Sequence, residues 1–182
     1  MKKHILAIID TESTGLNPEV HELISIGVVL VNQDWSEKNP KFEEIEEFEL
    51  KIKPEHIETA DPVALRVNKY DPADWVFAYT LPEAMKILSK KTAGAIMVSH
   101  NIVFDYAFLE KAFTKTGEEN KMHYHKLDTI SLAFAKLHGK KDVDRFSLRN
   151  LTEYFGIENK NAHTALSDAR ATFLLFKKLM SL

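Results

Sequence analysis

The stretch AIIDTESTGLNP, residues 7–18, determines how the rest of the sequence is interpreted. Its near-continuous apolar start predicts a buried strand, and this run ends in Asp10 and Glu12. Because side chains alternate along a strand, these two carboxylates point to the same face. Neighbouring carboxylates repel each other, so a divalent cation such as Mg²⁺ or Mn²⁺ is one explanation for the pair. Simple exposure to solvent past the strand end is the other.

The residues that follow predict a tight turn. Ser13, Thr14 and Gly15 offer hydroxyl groups, backbone donors and a bend that another chain could approach. Leu16 is expected to be exposed in this turn. Two interpretations of Leu16 remain open, a plug for the protein's own core and a wedge against a nucleobase.

Composition predicts a single domain over residues 1–182. The sequence is 45% hydrophobic and 28% charged, which is ordinary for a globular protein. It contains no cysteine, which excludes thiol chemistry and favours a cytoplasmic setting. No apolar run approaches the length of about 20 residues that a membrane span needs, so no membrane association is expected. The start MKKHILAIID superficially resembles a signal peptide, but its early acids favour a first strand.

Charge is distributed unevenly along the chain. Residues 1–109 contain 11 Lys and Arg against 18 Asp and Glu, whereas residues 110–182 contain 13 against 9. This asymmetry is compatible with an acidic metal site beside a basic surface that meets phosphates. A solvated surface without any such partner explains it equally well.

The order of apolar patterns predicts an α/β fold with a mixed sheet flanked by helices. The stretches HILAIID, ELISIGVVLV and EFELKIK predict an antiparallel meander, and AIMVSH predicts a further strand between helices. Short helices are expected after Asp61 and Thr80. Longer helices are expected at about 104–115, 128–138, 148–155 (capped by Ser147 and ended by Gly156) and 164–180.

Two further stretches carry candidate site residues. In SHNIVFDYAFL, Asp105 falls in the first turn of a helix, where an acid is favourable even without a further role. In NAHTALSDARATFLLF, Asp168 lies close to the apolar stripe of a helix, where a pairing with Lys or Arg is the alternative. His163 lies five residues earlier. In a continuous helix, this spacing would separate the two side chains by a rotation of about 140°. His163 can therefore share a site with Asp168 only from the loop that precedes the helix.

Taken in order, D-x-E-x-T-G, H-N-x-x-F-D-x-x-F-L and H-x-A-x-x-D resemble the three motifs of the DEDDh 3′–5′ exonucleases. The resemblance spans nearly the whole chain. It implies an RNase H-like fold with a five-stranded mixed sheet, and two Mg²⁺ or Mn²⁺ ions held by four acids. It also implies that His163 is a general base. The four implied metal ligands are Asp10, Glu12, Asp105 and Asp168.

The activity implied by this resemblance is hydrolysis from the 3′ end of single-stranded nucleic acid, with DNA favoured and nucleoside 5′-monophosphates released. The alternatives are an RNA-trimming exoribonuclease and a non-catalytic nucleic-acid-binding scaffold. A polymerase or another nucleic-acid enzyme is a candidate partner, and the oligomeric state stays open. The residues predicted to contact substrate are Ser13, Thr14, Gly15, Leu16, His100, Asn101 and Phe104.

Three segments depart from the family pattern or lie outside it. Ser25 stands where many relatives have an acid. The acidic stretch EEIEEFE, residues 43–49, is interpreted as an insertion. Residues 56–75 match no motif and are expected to shape a substrate groove.

Overall fold

The computed structural model describes residues 2–36 and 40–182 and contains a five-stranded sheet flanked by helices. The strands are β1 Leu6–Ser13, β2 Leu23–Asp34, β3 Lys41–Lys51, β4 Ile96–Ser99 and β5 Lys126–Asp128. The helices are α1 Pro62–Val67, α2 Leu81–Lys91, α3 Ile102–Thr116, α4 Thr129–Leu137, α5 Leu148–Phe155 and α6 Ala165–Met180. Short 3₁₀ turns lie at Ile57–Thr59 and Pro72–Trp75.

The sheet is mixed, and its order is β3-β2-β1-β4-β5. β1, β2 and β3 form the predicted antiparallel meander, whereas β4 and β5 run parallel to β1. The expected mixed sheet flanked by helices is therefore confirmed. The sequence pattern did not locate β5, because a strand of three half-buried residues is too short to show a period.

The stretch EEIEEFE, residues 43–49, lies inside β3, and its interpretation as an insertion stays a prediction. The register shifts between Leu30 and Val31 of β2, which leaves Ile45 as an extra residue of β3. This bulge reverses the faces: Phe42 packs on one side of the sheet, and Leu50 packs on the other. The strand consequently loses its simple alternation, and its exposed glutamates suit the sheet edge.

β1 is buried on both faces of the sheet, which explains its continuous apolar run. Ala7 and Ile9 belong to the core that packs under α2 and α3. Leu6 and Ile8 belong to the core under α6. By the same alternation, Asp10 shares the α6 face of the sheet with Ile8 and Glu12.

Gly27 allows the start of α6 to lie directly on β2. It pairs with Asp10 in the sheet register, and a Cβ added at this position would lie 2.2 Å from the backbone carbonyl carbon of Ala165. No side chain fits into that space, so only glycine permits the contact. The close approach brings the first turn of α6 to the level of Asp10.

The predicted helix signals agree with the structure. The Asp61 side chain accepts from the Val63 N–H at the start of α1, and the Ser147 side chain accepts from the Asn150 N–H at the start of α5. Gly156 ends α5 with a positive φ. Across residues 2–36 and 40–182, no helix combines the length and apolarity required to cross a membrane.

Candidate active site

Three of the four predicted acids converge at the end of β1. Asp10 and Glu12 project from the same face of this strand, and Asp168 comes from the first turn of α6. One carboxylate oxygen from each residue lies within 4.8 Å of the other two. All three side chains are half-buried. Such an oxygen-only set suits a hard divalent cation.

Asp105 lies beside these three acids and is held by hydrogen bonds from β1 and β4. Its Oδ1 accepts from the Thr11 backbone N–H at 2.9 Å and from the Thr11 hydroxyl at 2.8 Å, and the Ser99 hydroxyl donates to its Oδ2. Thr11 alternates with Asp10 and Glu12 and therefore faces the α3 side of the sheet. A role of Asp105 as a direct metal ligand stays a prediction.

Three of the acids, Asp10, Glu12 and Asp105, have raised pKa values, and burial is the largest cause for each. Burial raises the pKa of Asp10 well above its usual value, and the charges of Asp105, Asp168 and Glu12 add to this effect. The pKa of Glu12 rises to about 8 through burial and then through Asp168, Asp105 and Glu49. Burial also raises the pKa of Asp105 to about 6, against the opposing hydrogen bonds from Ser99 and Thr11. A bound divalent cation would relieve this repulsion, so the residues present fit a metal site.

Metal-free protein is expected to lose stability as the pH rises from about 5 to 8. The folded-state pKa of Glu12, about 8, exceeds its ordinary value of 4.5, so the folded state holds a proton that the unfolded state has already released. Removing that proton should cost on the order of 3 kcal/mol across this window. Urea unfolding in EDTA at a series of pH values measures the effect, and saturating Mg²⁺ should flatten it. Stability that is constant or rises between pH 5 and 8 without metal would contradict the expectation.

His163 lies in the loop before α6, which is the position required for it to share a site with Asp168. Its backbone has a positive φ of 68°, and its N–H donates to Asp168 Oδ2 at 3.1 Å. The His163 side chain is exposed and lines a cavity of about 320 Å³ together with Glu12. The Asn159 side-chain amide donates to Asp168 Oδ1 at 2.5 Å. Both oxygens of Asp168 are thus oriented by the segment that carries His163.

The hydroxyls of Ser13 and Thr14 form hydrogen bonds within the turn itself. Both side chains are buried. The Ser13 hydroxyl donates to the Gly15 carbonyl at 2.6 Å, and the Thr14 hydroxyl accepts from the Glu22 N–H at 2.9 Å. These hydroxyls hold the turn together, and substrate contacts at both positions stay predictions.

Gly15 and Leu16 complete the turn. A Cβ at Gly15 would lie 2.5 Å from the ring of His21, so the turn packs closely against this ring. Leu16 is 79% exposed, which is the predicted exposure and excludes a role as a plug for the core. The stretch therefore presents an apolar side chain to solvent on a rigid support.

A largely apolar groove of about 210 Å³ runs from this turn to α1. Leu16 and Phe104 lie in its wall, and Val63 and Val67 of α1 complete it. Glu12 also lines the groove, so it opens onto the acidic cluster. Five residues within 61–68 thus line part of this groove, and a substrate role for residues 56–75 stays a prediction.

His100 and Asn101 are not among the residues that line this groove. The Nδ1 atom of His100 lies 2.9 Å from the Thr129 hydroxyl, and burial lowers the pKa of this histidine. Asn101 is exposed in a left-handed conformation, and its backbone N–H donates to Asp128 Oδ1 at 3.0 Å. These contacts join the ends of β4 and β5. Direct substrate contacts at both positions stay predictions.

Sequence reasoning missed several residues of this site. Gly27 lets the start of α6 pack on β2, and Asn159 donates to Asp168 of that helix. The side chain of Asn68 donates to the Ser13 carbonyl in the turn at 2.9 Å. Glu49 of β3 accepts from the Ser25 hydroxyl at 2.9 Å and raises the pKa of Glu12. An acid from the neighbouring strand thus stands beside Ser25. Cross-strand placement of this kind leaves no local signal in the sequence.

Comparisons with known proteins identify the family and several relatives of this chain. Residues 7–176 match the family model RNase_T, described as exonuclease. The chain is 29% identical over 178 residues to a PolC-type DNA polymerase III of Caldanaerobacter subterraneus subsp. tengcongensis. This alignment covers 95% of this chain and 11% of the relative. It is also 28% identical over 189 residues to ribonuclease T of Pectobacterium atrosepticum. That alignment covers 96% of this chain and 80% of ribonuclease T.

A solved structure shares the fold. The crystal structure of Escherichia coli exonuclease I in complex with a dT13 oligonucleotide superposes with a TM-score of 0.78 at 19% identity. The match covers 97% of this chain and 41% of exonuclease I. The chain therefore spans only part of exonuclease I and about a tenth of the PolC-type relative.

Proposed function

The chain belongs to the RNase T exonuclease family, and from this premise we propose that it is a metal-dependent 3′–5′ exonuclease acting on single-stranded nucleic acid. The observation that carries the proposal is the convergence of Asp10, Glu12 and Asp168 within 4.8 Å beside an exposed histidine. A non-catalytic scaffold would have no need to bury mutually repelling acids, which cost stability without a cation.

The acidic cluster would hold two Mg²⁺ or Mn²⁺ ions through Asp10, Glu12 and Asp168, with Asp105 beside them. When bound, such ions supply activation of water and stabilisation of the charge that develops on the phosphodiester. The hydrogen bonds from Asn159 and from the His163 N–H fix the two oxygens of Asp168 for this task.

His163 is proposed as the general base. Its imidazole takes a proton from the attacking water, whose oxygen forms a new bond to phosphorus. The bond between phosphorus and the 3′ oxygen of the preceding nucleotide breaks, and this oxygen is protonated from solvent. A nucleoside 5′-monophosphate leaves, and the shortened strand ends in a 3′-hydroxyl.

Replacement of His163 by alanine is expected to lower kcat about 10²- to 10⁴-fold and to change KM much less, because a general base acts mainly in the transition state. Steady-state kinetics on a single-stranded oligonucleotide measures both constants. His138→Ala serves as the matched control, because His138 lies at the end of α4 and its Nδ1 pairs with the Phe134 carbonyl. A variant that loses only substrate affinity would argue against the base role.

The groove is proposed to receive the terminal nucleotide. Its apolar walls, with Leu16 on one side and Val67 on the other, suit a nucleobase of any sequence. The complex of exonuclease I with dT13 and the similarity to PolC-type polymerases support DNA as the substrate and a polymerase as a partner. The similarity to ribonuclease T supports the second candidate, an RNA-trimming exoribonuclease.

Matched DNA and RNA oligonucleotides of several lengths separate these two candidates. With Mg²⁺ or Mn²⁺, the proposed enzyme degrades single-stranded DNA at a higher kcat/KM than RNA of the same sequence. A higher kcat/KM for RNA would assign the exoribonuclease role instead. Degradation that persists in EDTA would overturn the metal-dependent mechanism as a whole.

A further inference from the structure

The side-chain oxygen of Asn68, Oδ1, is a buried hydrogen-bond acceptor without a donor among the described residues. The residue is only 6% exposed, and within the described part of the chain its Oδ1 has no hydrogen-bond partner. Its Nδ2 donates to the Ser13 carbonyl at 2.9 Å. That bond fixes the orientation of the amide, because a flipped group would bring two oxygens together. Oδ1 therefore faces away from Ser13, and an unsatisfied buried acceptor calls for a donor.

The position of Asn68 indicates which molecule brings this donor. Asn68 lines both the apolar groove of Leu16 and Phe104 and the polar cavity of His163, and Glu12 lines both as well. Asn68 therefore stands at the boundary between the proposed site for the terminal base and the site of hydrolysis. In a bound nucleotide, the sugar connects the base to the reacting phosphate and would occupy this boundary.

The chemistry of a nucleotide narrows the choice of donor. A phosphodiester offers only acceptor oxygens, so it cannot satisfy the Asn68 oxygen. Base amino groups differ among the four bases, whereas the groove walls suit any base. The sugar hydroxyls remain: the 3′-hydroxyl of any 3′ end, and the 2′-hydroxyl where the terminal sugar is ribose.

We propose that Asn68 is a specificity-determining residue, whose Oδ1 accepts a hydrogen bond from a sugar hydroxyl of the terminal nucleotide. This inference rests on the proposed function and deepens it, because it explains how the site selects ends with a free hydroxyl. The Asn68 Nδ2 bond to the Ser13 carbonyl couples this recognition to the turn that follows Glu12.

The test uses four oligonucleotides that differ only in the terminal sugar: both hydroxyls, 3′-hydroxyl alone, 2′-hydroxyl alone, and neither. Binding is measured by fluorescence anisotropy in Ca²⁺, and kcat/KM is measured in Mg²⁺. Wild-type protein is expected to prefer the recognised hydroxyl about tenfold over the end that lacks it. In Asn68→Ala this preference should fall to about one. The pair of oligonucleotides that shows the effect identifies the hydroxyl.

Val67→Ala is the matched control, because Val67 precedes Asn68 and shapes only the groove wall. It should weaken all four oligonucleotides by the same factor and keep the wild-type preference. Asn68→Ala with an unchanged preference would overturn the inference. So would wild-type protein that binds hydroxyl and dideoxy ends equally, a result that requires no folded variant. Binding with the expected preference but without any cleavage would instead count against the proposed function alone.

Discussion

Asp10→Asn is expected to raise the melting temperature of metal-free protein and to lower hydrolysis by about 10³-fold or more. The pKa of Asp10 is raised by burial and by the charges of Asp105, Asp168 and Glu12. An amide of the same shape removes one of these repelling charges, so the folded state becomes more stable at neutral pH. The same change removes a proposed metal ligand, so added Mg²⁺ should no longer raise the melting temperature.

Differential scanning calorimetry with EDTA and with Mg²⁺ measures both effects. Asp144→Asn makes the same chemical change at an exposed position outside the acidic cluster. It should alter neither the metal-free stability nor the response to Mg²⁺ appreciably. If Asp10→Asn lowered the metal-free melting temperature and kept the full response to Mg²⁺, the acidic cluster would not be the metal site.

Gly27→Ala is expected to destabilise the fold by about 3 kcal/mol or more and to abolish activity even where the protein still folds. The added methyl group would lie 2.2 Å from the backbone of Ala165, and backbone cannot yield as a flexible side chain can. Relief of this clash requires α6 to move away from β2. This movement would also displace Asp168 of α6 and the preceding His163 away from Asp10.

Urea unfolding and the rate of oligonucleotide cleavage test this prediction together. Gly139→Ala is the control, because a Cβ at Gly139 meets nothing within 4 Å. It should leave stability and activity close to those of the wild type. Wild-type stability and activity in Gly27→Ala would show that the contact between β2 and α6 does not position the site.

The sequence predicted those parts of the site that depend on local periodicity. Alternation along β1 placed Asp10 and Glu12 on one face, and the helical rotation showed that His163 could share a site with Asp168 only from the preceding loop. The acids of β1 and Asp168 lie close together, as their order in the three motifs implies. These relations depend only on spacing within one element or on a motif that spans the chain.

Features that depend on contacts between distant elements escaped the sequence analysis. The bulge at Ile45 hides the full length of β3 from the sequence pattern. Side chains before and after it point to opposite faces of the sheet, so the alternation of apolar and polar residues is interrupted. The hydrogen bonds from Thr11 and Ser99 fix the carboxylate of Asp105 to β1 and β4. The roles of Gly27 and Asn68 arise only when α6 and α1 pack against the sheet and its turn.

The polarity of degradation distinguishes a metal-dependent 3′–5′ exonuclease from every other nuclease activity. One single-stranded oligonucleotide is labelled at its 3′ end and, in a second preparation, at its 5′ end, and each is incubated with Mg²⁺, Mn²⁺ or EDTA. We expect immediate release of labelled mononucleotide from the 3′ end and progressive shortening of the 5′-labelled strand, both of which stop in EDTA. Early release of the 5′ label, internal cleavage, or activity that persists in EDTA would contradict this expectation.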